Sequence, residues 1–398
     1  MKMGAVVMKI RRTSVSFICV VVAFLCTACT KIGTDNSSKS HKTQIIISHA
    51  LEENEKDKNS HKSDAKVFTL SDNIVKESDV VTKNAVTSGY KKINSKEKVK
   101  IYSGTGVAVV GITAYEQYNY VDSEAKKYID TVNKIAKGLD KDIKVYDMII
   151  PTSIAITLPD DKYDKVNSSD QVKAVKKMYK RLSERVAAVG IYDELMKHRT
   201  EYIYFRTDHH WTSRGAYYAY NVFCGLKGMV PNAIDTYKTG SFGTFKGSFY
   251  GSTNNWTGLK ADKLLALYPV NNDNISIEYT EESGQVLKGH VIEDASSFGT
   301  DLKYCAFIDG DNPYTVVTNS TIHDKSSCIV IKESFGNAFV PFLADHYSKI
   351  YVVDYRYWQG NVTKLASEKN VDDVIFCNNI SMTRNAYLIG KLAQLAEG

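Results

Sequence analysis

From Val99 onward, short apolar runs rich in β-branched residues alternate with amphipathic stretches of helical period. This alternation is typical of βαβ units, so it predicts an α/β fold built around a parallel sheet. A strand or hairpin edge is predicted at Lys100–Gly111, and strands are predicted at Ile143–Ile150, Tyr202–Phe205, Cys328–Lys332, Ile350–Asp354 and Val374–Cys377. Helices are predicted at Ser123–Gly138, Ser213–Leu226 and Asn337–His346, and two more are predicted to begin near Ser169 and Met382.

The N-terminus predicts export. An apolar run from Val15 to Leu25 follows four basic residues and ends in small residues, which is the pattern of a secretory signal. Residues 25–29 also resemble a bacterial lipoprotein processing site, in which Cys29 would carry the lipid. Because Cys26 stands where that pattern usually has leucine, an uncleaved signal anchor remains the alternative. Both alternatives place the body of the chain outside the cytoplasm, anchored to the outer face of the membrane.

Composition divides the chain into three segments. Residues 1–29 form the predicted signal, and residues 30–98 are predicted to be a polar linker and a poorly defined N-terminal region, because they are dominated by polar and charged residues. Residues 99–398 form the predicted compact domain. Within it, the stretch 231–319 is rich in Gly, Asn, Ser and Thr, and it is predicted to be an irregular or β-rich insertion rather than a continuation of the sheet.

Charge and cysteine usage narrow the function classes. The formal net charge of +6 comes partly from signal and linker lysines, and no basic stripe is interleaved with aromatic residues, so no nucleic-acid partner is expected. The four cysteines of the body lack CxxC spacing, which gives no support for a zinc or redox site. They are Cys224, Cys305, Cys328 and Cys377. Their apolar surroundings leave disulfides and buried free thiols both open, and neither a metal nor a cofactor is expected.

Ser334 is the first candidate for chemistry. It follows the predicted strand Cys328–Lys332 and precedes a predicted helix, and in open α/β sheets ligands bind at such junctions. Backbone N–H groups of Phe335, Gly336 and Asn337 would point toward it and could stabilise an oxyanion. A serine nucleophile needs a base. The plainer alternative is that Ser334 only caps its helix.

Asp208 and His210 could supply the base. They lie two residues apart, so on an extended loop both side chains would face one cleft. Asp208 would orient the imidazole, and His210 would accept the proton of the serine. Two alternatives remain open, namely histidines packed against Tyr217 and Trp211, and a metal phosphoesterase site around His209 and His210. The second requires several more acidic or histidine ligands, and no motifs for them are found in the sequence.

At these residues the sequence resembles the DHHW family of exported bacterial proteins, named for the tetrapeptide Asp208–Trp211. The resemblance extends over roughly residues 99–398 and rests on five segments, Arg206–Thr212, Gly247–Tyr250, Asp309–Pro313, Glu333–Phe339 and Val352–Tyr357. The family is similar in turn to SGNH-hydrolase-like proteins that O-acetylate alginate and other exported polysaccharides. The resemblance implies a three-layer SGNH-hydrolase-like sheet with helices on both faces, and a triad of Asp208, His210 and Ser334.

The same resemblance implies an O-acetyltransferase or esterase that acts on a cell-surface or exported polysaccharide. A transferase would need an acyl donor outside the cell, which implies a multi-pass membrane O-acyltransferase as partner. Four further residues are weaker candidates for oxyanion or substrate contacts, namely Asn337, Gly336, Ser248 and Arg356. Arg356 next to Asp354 could instead form a surface ion pair, and Glu333 stands where alginate-type members carry aspartate. The alternative function is a non-catalytic glycan-binding lipoprotein.

Overall fold

The computed structural model describes residues 90–397. The predicted signal, its Cys29 and the predicted linker up to residue 89 lie outside the described residues. None of the helices among residues 90–397 has the length and hydropathy of a membrane-spanning segment. Residues 90–98 contact the domain: the Tyr90 hydroxyl donates to Asp193 at 2.6 Å, and the Ile93 N–H donates to Asp160 at 2.7 Å.

The strands and helices alternate along most of the chain. The strands are β1 Val99–Tyr102, β2 Val107–Val110, β3 Thr113–Glu116, β4 Lys144–Ile150, β5 Val186–Ala188, β6 Thr239–Phe245, β7 Asp262–Leu267, β8 Ile275–Thr280, β9 Val286–Gly289, β10 Tyr314–Asn319, β11 Ser327–Lys332, β12 Lys349–Asp354 and β13 Asp373–Asn379. The α-helices are α1 Asp122–Gly138, α2 Ser153–Ile156, α3 Gln171–Tyr179, α4 Tyr192–Lys197, α5 Ser213–Lys227, α6 Ser248–Ser252, α7 Val340–Leu343, α8 Val362–Lys369 and α9 Ala386–Gln394.

One large mixed sheet organises the domain. Its strand order is β5-β4-β13-β11-β12-β10-β8-β9. The first five strands are parallel, and the last three join them in antiparallel pairs. The predicted α/β class is therefore confirmed, but the sheet is mixed rather than parallel throughout.

Buried side chains line both faces of this sheet. Along β4, Tyr146 and Met148 belong to one hydrophobic cluster, whereas Val145 and Ile149 belong to another, as the two-residue period of a strand requires. Helix α5 packs into the first cluster, and α1, α3, α8 and α9 pack into the second. The completely buried strands β11 and β13 lie at the centre, where they place their C-terminal ends side by side.

The segment 231–319 differs from its prediction. Strands β8, β9 and β10 extend the large sheet, so the expectation that this stretch does not continue the sheet is wrong for them. Only β6 and β7 form a separate two-stranded ribbon, which packs beside α5. Buried and intermediate residues alternate along β10, as in a strand with one face covered. The many turn-forming residues around β10 hide this alternation in the sequence.

Local predictions fail mainly at element ends. Helix α1 begins at Asp122 without a side-chain cap, so Ser123 is in its first turn rather than at its N-cap. The segment 202–205 makes only an isolated bridge between Tyr204 and Trp211. The predicted helix Asn337–His346 is instead a 3₁₀ turn, Ser334–Ala338, followed by the short α7. Pro341 lacks an N–H and therefore fits the first turn of α7.

Three of the cysteines are buried free thiols, Cys224, Cys328 and Cys377. Burial raises the pKa of Cys224 to about 12, and it raises the pKa values of Cys328 and Cys377 well above the usual value. These thiols therefore stay protonated and unreactive at neutral pH. Of the two alternatives left open by the sequence, disulfides and buried free thiols, the second holds at these three positions.

Candidate active site

Ser334 and the Asp208–Trp211 segment meet at the C-terminal edge of the parallel strands. Ser334 is the first residue of the 3₁₀ turn that follows β11. The Asp208–Trp211 segment precedes α5, whose N-cap Thr212 accepts a hydrogen bond from the Gly215 N–H. Ligands bind at this edge in open α/β sheets because loops from neighbouring strands converge there. The two motifs that the sequence singled out therefore lie together at this edge.

Asp208, His210 and Ser334 form one hydrogen-bonded chain. His210 Nδ1 lies 2.6 Å from Asp208 Oδ1, and His210 Nε2 lies 2.7 Å from Ser334 Oγ. Because an ionised carboxylate can only accept, Nδ1 donates to Asp208, and Nε2 is left to accept the serine proton. The three residues are 4–5% exposed. Burial opposes ionisation of Asp208, but its interactions with His210 and His209 hold its pKa well below the usual range.

The carboxylate of Asp208 is fixed from two sides. Its Oδ1 also accepts the His210 N–H at 3.0 Å, and its Oδ2 accepts the Ser248 N–H at 2.9 Å. Gly247 allows the backbone of Ser248 to approach Asp208, since a Cβ at Gly247 would lie 2.2 Å from the Cβ of Asp208. Ser248 is thus part of the rim of the site. It contacts the carboxylate through its backbone and His209 through its hydroxyl.

Aromatic rings fix the imidazole of His210. The ring of Tyr304 stacks on it at 3.9 Å between centroids, and the ring of Phe335 lies 4.9 Å away. The completely buried Trp211 donates its Nε1–H to the Phe335 carbonyl at 3.0 Å. The tryptophan therefore joins the histidine segment to the turn that carries Ser334, so the two motifs are held together independently of the serine–histidine bond.

Glu333 occupies the backbone donors beside the serine. Its Oε2 accepts the Phe335 N–H at 3.3 Å, its Oε1 accepts the Asn379 N–H at 2.9 Å, and its carbonyl accepts the Gly336 N–H at 2.9 Å. The expectation that Phe335 and Gly336 direct their N–H groups toward Ser334 is therefore wrong. Burial raises the pKa of the Glu333 carboxyl, although Arg356 opposes the rise.

Gly336 and Asn337 have other roles in this turn. A Cβ at Gly336 would lie 2.5 Å from the Cβ of Lys332, so this glycine allows the turn to fold back on β11. Asn337 donates its Nδ2–H to Asp311 Oδ1 at 2.9 Å. Its Oδ1 is buried and has no hydrogen-bond partner among residues 90–397. The hydrogen bond to Asp311 thus fixes the orientation of this amide within the turn Ser334–Ala338.

Arg356 belongs to a buried ionic cluster rather than to a surface ion pair. Its Nη2 lies 2.6 Å from Asp354 and 2.8 Å from Asp311, and Lys332 Nζ contacts the same two carboxylates at 2.7 and 3.2 Å. Burial would raise the pKa of Asp311, but Arg356 and Lys332 hold it well below the usual range. With both of its partners in place, Arg356 contributes to the frame behind Ser334.

The residues with metal-ligand chemistry form a small group. Asp208, His209 and His210 can bring one ligand atom each within 4.8 Å of one another. No other His, Cys, Asp or Glu among residues 90–397 joins that group. The phosphoesterase alternative requires several further ligands, and this part of the chain does not provide them.

Sequence reasoning missed three residues that hold the site. Asp262 on β7 accepts hydrogen bonds from the Thr207 N–H and hydroxyl at 2.8 and 2.6 Å, and so anchors the residue before Asp208. Tyr304 and Asp311 contact His210 and Asn337, as described above. Asp262 and Tyr304 have no local pattern that could reveal them. Asp311 lies in one of the five segments of the family resemblance, which was its only signal.

Comparison with known proteins identifies the family of this chain and structures that share its fold. A family model described as DHHW protein matches residues 38–353, which is more than half of the chain. A sequence comparison with curated proteins gives no match. Among solved structures, a DHHW family protein from Eubacterium siraeum is 24% identical with a TM-score of 0.67, over 75% of this chain and 97% of that chain.

Two further structures are similar at lower identity. PatB1 of Bacillus cereus with a sulfonyl adduct is 17% identical with a TM-score of 0.59, over 74% of this chain and 98% of that chain. The O-acetyltransferase domain of AlgJ from Pseudomonas putida is 12% identical with a TM-score of 0.38, over 72% and 98%. The similarities to the Eubacterium siraeum protein and to PatB1 show a shared fold. The extent of the family match confirms the predicted resemblance, and the chain belongs to the DHHW protein family.

Proposed function

We propose that this protein transfers acyl groups, acetyl above all, through a covalent intermediate on Ser334, and that it acts outside the cytoplasm on a cell-surface or exported polysaccharide. The observation that carries the proposal is the continuous chain from Asp208 through His210 to Ser334, with contacts of 2.6 and 2.7 Å. A serine next to an oriented imidazole is an activated nucleophile. Release of the acyl group to water instead of a sugar would make the same site an esterase.

In the first half of the reaction, Ser334 Oγ attacks the acyl carbonyl carbon and passes its proton to His210 Nε2. Asp208 stabilises the imidazolium that results. The tetrahedral intermediate collapses when the bond to the leaving group breaks, and His210 returns the proton to that group. Ser334 is then an ester, and the imidazole is neutral again.

In the second half, a hydroxyl of the acceptor attacks the ester carbon while His210 Nε2 takes its proton. The bond from the acyl carbon to Ser334 Oγ breaks, and the proton passes to that oxygen. Both halves develop negative charge on the carbonyl oxygen, which needs a donor. Asn337 is the proposed donor. Among residues 90–397, its Nδ2 group donates one hydrogen to Asp311, which leaves the second hydrogen for the oxyanion.

Several finer features belong to the same proposal. The domain would be a three-layer SGNH-hydrolase-like structure, and the chain would be anchored to the outer face of the membrane through lipid on Cys29 or through a signal anchor. A multi-pass membrane O-acyltransferase would provide the acyl group. These features rest on the N-terminal sequence pattern and on the family resemblance.

Hydrolysis of p-nitrophenyl acetate by the full chain tests the proposal. We expect Ser334→Ala and His210→Ala each to lower kcat/KM at least about 1,000-fold, because the members of a triad act as a unit. His323→Ala is the matched control, since His323 lies on the loop before β11, at the opposite end of that strand from Ser334. Circular dichroism of each variant verifies the fold.

A sulfonyl fluoride provides a second readout, chosen because the PatB1 structure carries a sulfonyl adduct. Intact mass should show one sulfonyl group on the native chain and none on Ser334→Ala. If the native chain neither turns over the ester nor reacts, and the variants behave like it, the triad proposal fails. The non-catalytic glycan-binding lipoprotein then becomes the better account.

A further inference from the structure

His209 is the solvent-facing member of the Asp208–Trp211 segment. Its side chain is 23% exposed, compared with 5% for Asp208 and 7% for His210. Its Nδ1 lies 2.7 Å from Ser248 Oγ. Its Nε2 has no hydrogen-bond partner among residues 90–397, and this atom is not fully buried. An imidazole nitrogen is therefore open to solvent beside the proposed triad.

The negative charge of Asp208 determines whether His209 Nε2 can accept a hydrogen bond. Asp208 Oδ2 lies 3.8 Å from His209 Nδ1, so the negative charge favours the tautomer with its proton on Nδ1, which then donates to Ser248 Oγ. Burial and the neighbouring His210 lower the pKa of His209, which keeps the ring neutral at pH 7. His209 Nε2 thus presents a lone pair, and it can accept a hydrogen bond from an incoming hydroxyl.

The rings of His209 and His210 lie next to each other and face the Asp208 carboxylate with the same nitrogen, Nδ1. Their centroids are 3.8 Å apart and their planes are inclined by 36°. Both rings turn Nδ1 toward the carboxylate of Asp208, so both Nε2 atoms lie on the far side of each ring from it. His210 Nε2 meets Ser334 there. An acceptor that reaches the acylated serine therefore finds two imidazole nitrogens, one of which is not needed for proton transfer.

We propose that His209 Nε2 accepts a hydrogen bond from a second hydroxyl of the acceptor, next to the hydroxyl that attacks, so that the site selects vicinal diols. This inference rests on the proposed function. The attacking oxygen forms the new ester bond, the bond from the acyl carbon to Ser334 breaks, and the proton of the attacking hydroxyl passes through His210 to Ser334. The second hydroxyl keeps its proton, so His209 determines specificity rather than bond cleavage.

A competition between two acceptors tests this role. The full chain is given p-nitrophenyl acetate with equal amounts of trans-1,2-cyclohexanediol and trans-2-methoxycyclohexanol, which differ in the second O–H. The ratio of the two acetylated products does not depend on the acylation rate, because both acceptors draw on the same acyl-enzyme. After correction for the two equivalent hydroxyls of the diol, we expect the native chain to favour the diol about tenfold, the effect of one hydrogen bond.

Variants separate this role from a structural one. His209→Ala should bring the product ratio near one, whereas His209→Gln keeps an accepting oxygen and should retain part of the preference. Ser248→Ala removes the partner of Nδ1 and should also lower the ratio, which provides the test if neither His209 variant folds. A native ratio of one, or an unchanged ratio in His209→Ala, overturns this inference alone. If the native chain forms no acetylated product at all, the proposed function fails and takes the inference with it.

Discussion

Asp147 lies in the middle of β4 with its carboxyl group fully enclosed. The Tyr128 hydroxyl donates to its Oδ1, but its Oδ2 has no hydrogen-bond partner among residues 90–397. Burial raises the pKa of Asp147 from 3.8 to about 7, although the hydrogen bond from Tyr128 opposes the rise. This residue is far from any motif, and alternation along the strand alone would have placed an apolar side chain there.

The raised pKa makes the stability of the protein depend on pH. The folded state holds the Asp147 proton more tightly than the unfolded state, so this contribution to the free energy of unfolding is complete below pH 3.8. It is lost as the pH rises to about 7. At about 1.4 kcal/mol per pKa unit, the loss amounts to at most about 4 kcal/mol. Urea unfolding of Asp147→Asn at pH 4 and pH 8 should therefore show a smaller decline than that of the native chain.

Asp142→Asn is the matched control for this measurement, since Asp142 is exposed on the turn before β4. The control should decline with pH as the native chain does. Equal declines in Asp147→Asn and the native chain would show that Asp147 does not hold a proton in the folded state.

At the scale of elements, the site depends on how closely α6 approaches the Asp208 segment. The contact is backbone against side chain, because the Ser248 N–H at the start of α6 donates to Asp208 Oδ2. Gly247→Ala would introduce a Cβ 2.2 Å from the Asp208 Cβ, so Asp208 must move. Since a displacement of about 1 Å costs about 100-fold in rate, kcat/KM for p-nitrophenyl acetate should fall by about that factor.

Gly251→Ala serves as the control for that substitution, because a Cβ at Gly251 meets no atom within 4 Å. It lies in the same short helix and should retain native kcat/KM. Native activity in Gly247→Ala would mean that the position of Asp208 is unimportant for turnover, and the triad proposal would lose its orienting residue.

The elements themselves were predictable where one physical signal dominated. The apolar stripes of α1 and α5 and the buried runs of β4, β11, β12 and β13 are each long enough to fix both type and place. Strands β8 to β10 were not predictable as part of the sheet, because they join it through β10, whose partners β8 and β12 are both distant from it in sequence. The turn after Ser334 was predicted as a helix, because the pattern of residues does not distinguish a 3₁₀ turn from an α-helix.

For the whole molecule, the candidate site gathers residues that are widely separated between Thr207 and Asn379. Asp208 and Ser334 are more than 120 positions apart, and their supports come from β7 at Asp262 and from the end of β13 at Asn379. The three residues of the proposed triad stood out in the sequence because each belongs to a short motif with its own chemistry. The sequence did not predict Asp262, because a lone aspartate shows its role only when the chain has folded around it.

This distribution predicts that the site is lost only when the domain unfolds as a unit. Loops near a site commonly open before the core does, but here the Asp208 segment is tied to β7, to the serine turn through Trp211, and to α6. Urea titration should therefore give the same midpoint for esterase activity, for tryptophan fluorescence, to which the buried Trp211 contributes, and for far-ultraviolet circular dichroism. Asp262→Asn should separate these midpoints, because it weakens the anchor of Thr207 without removing core side chains. If activity in the native chain disappears well below the circular dichroism midpoint, the site opens locally before the domain unfolds, and its rigidity does not come from the whole fold.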